Sequence, residues 1–228
     1  MEIQNLDHLV SEKNSNHKNK NNLAPQWTFR FLVCGGSGSG KTNMLLNLIM
    51  KYLHFDKLFI YSKSINQSKY QFLIKHITEL ADSYEIPVKQ ILYTSDKVED
   101  VLPLSDLNED VQNLVVFDDL LLEKDQSLIG EYFVASRHKN TSCIYLSQSY
   151  FDTPKVIRLN CNYFAIHETN GNNLTQLARE HSGGLSNDEF KKLFRKAVSE
   201  PFAFFLLDKK TRDKKMRYRR GFQTALVL

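Results

Sequence analysis

A glycine-rich segment in the first quarter of the chain constrains its fold more than any other feature. The apolar run 29–34 precedes this segment, and an apolar helical pattern over 42–54 follows it. The segment satisfies G-x-x-x-x-G-K-[ST], in which glycines let backbone N–H groups turn inward around phosphate oxygens at a helix N-terminus. Lys41 then neutralises the β- and γ-phosphates and Thr42 ligates Mg²⁺, so the pattern predicts a nucleotide site. Its residues are Gly35, Gly36, Ser37, Gly38, Ser39, Gly40, Lys41 and Thr42.

Short apolar runs alternate with segments long enough for helices along the rest of the chain. Near-continuous hydrophobicity over four to six residues is typical of a parallel strand covered on both faces. The alternation predicts an α/β fold with a mostly parallel central sheet flanked by helices. The predicted strands are 29–34, 58–61, 91–94, 114–117, 143–146, 163–166, 202–207 and 221–228, and the predicted helices are 42–54, 69–82, 126–137, 173–180 and 187–199.

The amino-terminal residues have a different composition from the rest of the 228-residue chain. Residues 11–26 are rich in Asn and Lys and poor in apolar side chains, so burial cannot offset the entropy of ordering them. We therefore expect a flexible arm over 1–26 and one P-loop domain over 27–228. No apolar run approaches the roughly 18 residues of a membrane-spanning helix, and residues 1–7 do not resemble a secretory signal. Cys34, Cys143 and Cys161 have no zinc-binding spacing and are expected to be reduced core thiols.

Two acids end the apolar run 114–117. A second strand that delivers a carboxylate to the magnesium is expected in a P-loop protein, and Asp118 fits that role. Asp119 is the candidate to orient and partly deprotonate the attacking water. Alternatively, Asp119 only caps the following segment.

Gln148 and Arg137 are further candidates for catalysis. Gln148 follows the apolar run 143–146 and can donate to a γ-phosphate while it accepts from water, although a plain strand cap is the alternative. Arg137 lies between the two strands that carry Asp118 and Gln148. It can act as an arginine finger or stay a solvated cation at a helix end.

Taken together, these segments resemble the poxvirus-type genome-packaging ATPases of the FtsK-HerA group of translocases. The resemblance rests on Lys41-Thr42, Phe117-Asp118-Asp119, residues 136–140 and residues 145–158, and it spans roughly 27–220. It implies a RecA-like core, ATP and Mg²⁺ as cofactors, and a homo-oligomeric ring. It also implies sequence-independent movement of double-stranded DNA into a preformed capsid, with a capsid or portal-like protein as partner, in the host cytoplasm or the virion. The wider group usually has Asp-Glu where this chain has two aspartates.

Two other classes of protein remain open from the residues alone. A nucleoside or nucleotide kinase of this size needs a lid with several arginines, and only Arg158 and Arg179 lie between the sensor strand and the last helix. A non-catalytic, nucleotide-gated DNA-binding adaptor needs the loop but neither Asp119 nor Gln148. A small GTPase is disfavoured because the chain has no Asn-Lys-x-Asp motif.

The positive charge is concentrated in one segment near the carboxyl end. The whole chain carries +4, whereas residues 209–220 hold eight cations against one aspartate. Such a run attracts the phosphate backbone of DNA by releasing counterions, although a solvated hairpin edge is the alternative. The candidate DNA-binding residues are Lys209, Lys210, Arg212, Lys214, Lys215, Arg217, Arg219 and Arg220.

Overall fold

Nine strands of the computed structural model form one sheet. The structure describes residues 23–120, 122–123 and 125–227. The strands are β1 (Arg30–Cys34), β2 (Lys57–Ser62), β3 (Leu92–Ser95), β4 (Asn113–Asp118), β5 (Thr141–Ser147), β6 (Tyr163–His167), β7 (Phe204–Asp208), β8 (Tyr218–Arg220) and β9 (Thr224–Ala225). The helices are α1 (Lys41–Lys51), α2 (Ser68–Ser83), α3 (Ser127–Ala135), α4 (Lys155–Asn160), α5 (Gly171–His181) and α6 (Asn187–Ala197).

The strand order is β3-β2-β4-β5-β1-β6-β7-β8-β9. All pairings from β3 to β6 are parallel, and β7, β8 and β9 add an antiparallel edge. The predicted α/β class with a mostly parallel sheet is therefore confirmed. None of the helices in the described ranges is long and apolar enough to cross a membrane.

Both faces of the central strands are buried, as their continuous hydrophobicity predicts. Along β1, Phe31 and Val33 pack with α1 and α2, whereas Leu32 and Cys34 pack with α3 to α6 on the other face. Alternate residues of a strand point to opposite faces, so each face needs its own apolar set. The three cysteines are free and buried, as expected, and burial raises the pKa of the Cys34 thiol to about 12.

Three elements differ from the sequence prediction, and helix α4 is one that was missed. Between β3 and β4 the chain forms 3₁₀ turns at Val98–Asp100 and Leu104–Asp106. A single strand was predicted over 221–228, but residues 221–225 form the turn and second strand of a hairpin, because Gly221 has φ 59° and reverses the chain after β8. Strand β8 was missed because it lies within the cationic run.

The described part of the predicted arm packs on the domain. Ala24 is 4% exposed, and the backbone N–H of Gln26 donates to the hydroxyl of Tyr163 at 3.1 Å. The folded domain therefore begins before residue 27. Residues 1–22 of the predicted arm lie outside the described residues.

Arg219 is part of the fold and not of a DNA-binding surface, which corrects its assignment from the sequence. Its side chain is 2% exposed, and its guanidinium pairs with Asp208 at 2.9 Å. It also donates to the backbone oxygens of Phe222 at 2.7 Å and Leu23 at 3.2 Å. Arg219 thus ties β8, the following turn and the amino-terminal segment to the end of β7.

We predict that Arg219→Ala lowers the free energy of unfolding by about 3–5 kcal/mol, because Asp208 would remain buried without its counter-charge. Arg212→Ala is the control, since Arg212 is an exposed cation of the same segment and its loss should change stability by less than about 0.5 kcal/mol. Urea denaturation measures both. Equal stabilities of the two variants would contradict a structural role for Arg219.

Candidate functional site: a nucleotide cleft at the carboxyl edge of the sheet

The glycine-rich loop joins the end of β1 to the start of α1, and glycine is required at three of its positions. Gly38 and Gly40 have φ values of 75° and 101°, in the left-handed region that side chains rarely adopt. At Gly35, a Cβ would lie 2.6 Å from Ser39 Oγ and 2.7 Å from His167 Cβ. The glycines of the motif therefore determine the conformation of this loop.

A cleft of about 530 Å³ opens beside this loop. The ends of β4 and β5 and the start of α2 form its other walls. It brings together five residues that the sequence analysis selected from three separate segments: Lys41, Thr42, Asp118, Asp119 and Gln148. The cleft also contains Ser37 and Gly38 of the loop.

Lys41 is held over the loop by backbone oxygens. Its Nζ donates to the carbonyl of Gly35 at 2.6 Å and to that of Gly36 at 2.9 Å. Burial lowers the pKa of Lys41, and the nearby carboxylate of Asp118 opposes this shift. A phosphate group in the loop would supply the full counter-charge that this amine lacks.

Asp118 is the last residue of β4 and is 9% exposed. Burial raises the pKa of its carboxyl group, although the hydroxyl of Tyr70 donates to Oδ2 at 2.6 Å and favours the charged form. Sequence analysis missed Tyr70, because its helical spacing with Leu73 and Ile77 is typical of an ordinary core residue of α2. Tyr70 positions the carboxylate proposed to hold the metal.

Asp119 faces a different partner. It is exposed and has a φ of 58°, and Ser64 Oγ donates to its Oδ2 at 3.2 Å. A left-handed backbone is uncommon outside glycine and is found more often at functional sites. Helix α3 starts at Ser127 with Gln126 at its N-cap, so Asp119 does not cap that helix. The two carboxylates lie in the same cleft but make separate contacts.

Gln148 follows β5 directly, and its exposed side chain lines the cleft. The next residues are fixed by Asn173 of α5, whose Oδ1 accepts from Ser149 Oγ at 3.2 Å and from the backbone N–H of Phe151 at 2.7 Å. Asn173 was not identified from sequence, because it lies some 25 residues away and its role depends on how α5 packs. It holds the loop that presents Gln148.

A buried polar cluster supports the same loop from behind. Arg158 Nη1 donates to Glu180 at 2.7 Å, and its Nε donates to the backbone oxygen of Thr153 at 3.0 Å. The hydroxyl of Tyr150 contacts both Glu180 and His181. Burial lowers the pKa of His181 to about 4, so this histidine is neutral at pH 7. Arg158 is committed to this cluster and does not form a lid.

Arg137 lies away from the cleft of its own chain. It belongs to the 3₁₀ turn Ser136–Lys139, which precedes β5, whereas Gln148 follows β5. Seven residues of strand separate the two positions, about 23 Å at roughly 3.3 Å per residue. The exposed Arg137 side chain donates from Nε to His138 Nε2 at 3.3 Å. The fold therefore places Arg137 at the opposite edge of the sheet.

The basic segment 209–220 is less uniform than its sequence suggests. Lys210 Nζ donates to the backbone oxygens of Gln26 and Thr28 at 3.1 Å each, and Arg220 pairs with Glu200. Arg217 is half-buried, with its guanidinium 5.7 Å from the ring centre of Tyr218. Four of the eight candidate DNA-binding cations remain exposed and without an ion pair among the described residues. They are Lys209, Arg212, Lys214 and Lys215.

We predict that Asp118→Asn makes the protein more stable at neutral pH in the absence of nucleotide and Mg²⁺. Below the ordinary pKa of 3.8, Asp118 is protonated in both folded and unfolded chains. Because its pKa is raised in the folded state, ionisation as the pH rises destabilises that state. The asparagine avoids this cost, so its advantage in melting temperature should be largest near pH 7 and shrink toward about pH 4.

The control for this prediction is Asp119→Asn, which changes an exposed neighbouring carboxylate. Thermal unfolding across the pH range measures all three proteins. A wild-type protein that is as stable as Asp118→Asn at pH 7 would contradict the cost assigned to the buried carboxylate.

Comparison with known proteins gives relatives in two sets. The chain is 31% identical over 143 residues to DNA packaging protein OPG160 of monkeypox virus, a match that covers 60% of this chain and 46% of the relative. The same protein of vaccinia virus strain Copenhagen is also 31% identical, with 60% and 52% covered. The chain thus spans about half the length of these relatives.

The second set consists of solved structures. The genome packaging NTPase B204 of Sulfolobus turreted icosahedral virus 2, in complex with AMP, aligns with a TM-score of 0.56 and 14% identity over 87% of this chain and 98% of that chain. This likeness shows a shared fold.

A family model described as Poxvirus A32 protein matches residues 15–199, which is most of the sequence. The family resemblance inferred from the motifs is therefore confirmed, and the chain belongs to the Poxvirus A32 protein family.

Proposed function

We propose that this protein hydrolyses ATP with Mg²⁺ and uses the energy to move double-stranded DNA into a viral capsid. The observation that carries the proposal is the convergence of Lys41, Thr42, Asp118, Asp119 and Gln148 on one cleft. The names of the comparison proteins support it, since the viral relatives are DNA packaging proteins and the structural relative is a packaging NTPase whose complexes include AMP and ATP-γS.

The proposed roles follow from the contacts in the cleft. The loop N–H groups and Lys41 bind the β- and γ-phosphates. The Thr42 hydroxyl and the Asp118 carboxylate are oxygen donors of the kind that Mg²⁺ prefers, and bound Mg²⁺ would neutralise phosphate charge. Asp119, held by Ser64, orients the attacking water and accepts its proton. Gln148 donates to the γ-phosphate.

The same contacts argue against the two alternatives. A kinase lid would need several arginines free to close over a second substrate, but Arg158 is buried in its ion pair with Glu180, which leaves only Arg179 of the two candidates. An adaptor that only binds nucleotide would have no use for Asp119 in a left-handed conformation or for a separately anchored Gln148 loop. Hydrolysis uses all of these features.

The proposal includes three kinds of partner, namely DNA, a capsid protein and further copies of this chain in a ring. The exposed cations Lys209, Arg212, Lys214 and Lys215 would contact phosphates without reading base sequence. A capsid or portal-like protein would receive the DNA, and the motor would work in the host cytoplasm where virions assemble or within the virion. Each of these partners follows from the packaging role.

A DNA-stimulated ATPase assay tests the proposed function. We expect hydrolysis that depends on Mg²⁺ and rises when double-stranded DNA is added. Lys41→Ala should abolish nucleotide binding, whereas Asp119→Asn should bind ATP normally and lose roughly 10²-fold or more in kcat, the usual contribution of a general base. Stimulation by a nucleoside instead of DNA would identify a kinase. Binding without turnover in the wild-type protein would identify an adaptor.

A DNA-contact variant provides a second arm of the same assay. Replacing Lys209, Arg212, Lys214 and Lys215 with glutamine should leave basal hydrolysis intact and reduce the stimulation by DNA. It should also flatten the dependence of DNA affinity on salt, since each phosphate contact contributes roughly one unit of slope. An unchanged salt slope would mark the segment as a solvated edge.

We further propose that Arg137 completes the ATP site of a neighbouring subunit. The sheet separates it from its own cleft, so it can reach a γ-phosphate only in a second chain. A head-to-tail contact that closes on itself forms a ring and presents the amino edge of one sheet to the cleft of the next. An arginine supplied in this way accelerates hydrolysis by roughly 10³ to 10⁵.

Mixing two inactive variants tests this arrangement. Arg137→Ala should bind ATP and hydrolyse it poorly. Lys41→Ala keeps Arg137 but should not bind ATP in its own cleft. Together they should regain part of the wild-type ATPase activity, because some interfaces combine the intact arginine of one with the intact cleft of the other. If chains shown to co-assemble regain no activity at any mixing ratio, the arginine does not act between subunits.

A further inference from the structure

The turn that connects α6 to β7 has an unusual residue at its third position. The backbone N–H of Ala203 donates to the carbonyl of Glu200 at 3.1 Å, which closes a four-residue turn with Pro201 second and Phe202 third. Phe202 has a φ of 64°. Proline followed by a positive φ is the pattern of a type II turn, in which the third position is normally glycine or asparagine. A bulky side chain there is strained.

Packing in the hydrophobic core does not account for this strain. The Phe202 side chain is 70% exposed, one of the most exposed large apolar residues among those described. The turn itself is fixed by Pro201 and by the ion pair between Glu200 and Arg220. An exposed aromatic ring on an unfavourable backbone conformation points to a role outside the core.

The position of the ring indicates that role. Phe202 Cδ1 and Cβ lie 3.3 and 3.4 Å from where a Cβ on Gly40 would be, so the ring packs against the end of the phosphate-binding loop. It lines a cavity of about 260 Å³ that also includes Asn43 and Lys69. The rest of the lining is the loop itself, residues 38–42.

This cavity and the nucleotide cleft share part of their lining. Gly38, Lys41, Thr42 and Lys69 line both spaces, while Asp118, Asp119 and Gln148 line only the cleft. The proposed metal ligand Asp118 and the proposed catalytic residues Asp119 and Gln148 therefore lie on one side of the loop. A nucleotide whose phosphates occupy the loop in that direction must extend its nucleoside toward the other side, where Phe202 lies.

We propose that Phe202 is the stacking platform for the base of the bound nucleoside triphosphate. The inference rests on the proposed nucleotide site and adds a base-binding position to it. Stacking on an aromatic ring contributes affinity for any base, because every base has a π-face. Stacking at this position therefore strengthens the binding of ATP and of GTP to a similar extent. Gly40 lets the ring approach the loop closely enough to meet the base.

Calorimetric titration with matched ligands tests the platform. The ligands are ADP and GDP, which carry a base, and inorganic pyrophosphate, which does not. Phe202→Gly should weaken the affinity for ADP and for GDP by about tenfold, which is the size of one lost stacking contact. Its affinity for pyrophosphate should stay within about twofold of the wild-type value. Phe202→Trp keeps an aromatic face and should bind ADP as tightly as the wild type. Glycine suits the turn, so Phe202→Gly should melt no lower than the wild type.

Tyr84→Ala provides the matched control, since Tyr84 is a 69% exposed aromatic residue at the far end of α2. It should leave all three affinities unchanged. Undiminished ADP affinity in Phe202→Gly, or an equal loss for ADP and pyrophosphate, would overturn the platform while leaving the phosphate site intact. A wild-type protein that binds neither ADP nor pyrophosphate would instead overturn the nucleotide site itself.

Discussion

The parallel pairing of β1 between β5 and β6 is the constraint on which the rest of the site depends. The register aligns Cys34 with Ser147 of β5, and the backbone N–H of Gly35 donates to the Ser147 oxygen at 3.2 Å. On the other side of β5, Asp118 pairs with Leu146. Parallel strands in this register end at the same edge. The glycine-rich loop, Asp118 and Gln148 come from three distant segments and are thereby brought to one cleft.

Several unfavourable features are concentrated around that cleft. Asp118 and Lys41 are both partly desolvated, and burial shifts the pKa of each toward its uncharged form. Asp119 and Phe202 have positive φ values. Beneath the loop, His167 is 1% exposed and burial lowers its pKa to about 4, so it packs against Gly35 as a neutral ring. Such energetic costs are typical of ligand-binding sites, because the bound ligand supplies charges and contacts that offset them.

Sequence alone predicted the parts of this protein whose chemistry is local. Residues 35–42 form a contiguous motif, and Asp118 and Gln148 each follow a continuous apolar strand, so strand polarity was enough to bring them together. Tyr70 and Asn173 were missed because each depends on which helix face packs over the strand ends. Arg219 was misassigned because it lies among exposed cations, and only the hairpin shows that it turns inward to Asp208.

The remaining limits of prediction have the same physical origin. Helix α4 is only six residues long, too short for a helical period to be recognised. Strand β8 is three residues long and contains two arginines, so no apolar run marks it. Phe202 follows a proline and precedes a strand, and its sequence context gave no indication of a positive φ. Long elements with a strong hydrophobic pattern can be predicted from sequence, whereas short elements held by tertiary contacts cannot.

The two edges of the sheet have complementary chemistry. At the carboxyl edge, Lys41, Lys69, Asp118 and Asp119 line the cleft, and the proposed triphosphate would add further negative charge. At the amino edge, the turn Ser136–Lys139 exposes Arg137 and His138. The rigid strands between the edges prevent one chain from bringing these charges together. A neighbouring chain in head-to-tail contact can do so, and ATP hydrolysis would then depend on how closely two subunits meet. That dependence is what a motor needs, because it links the chemical step in one subunit to the position of the next.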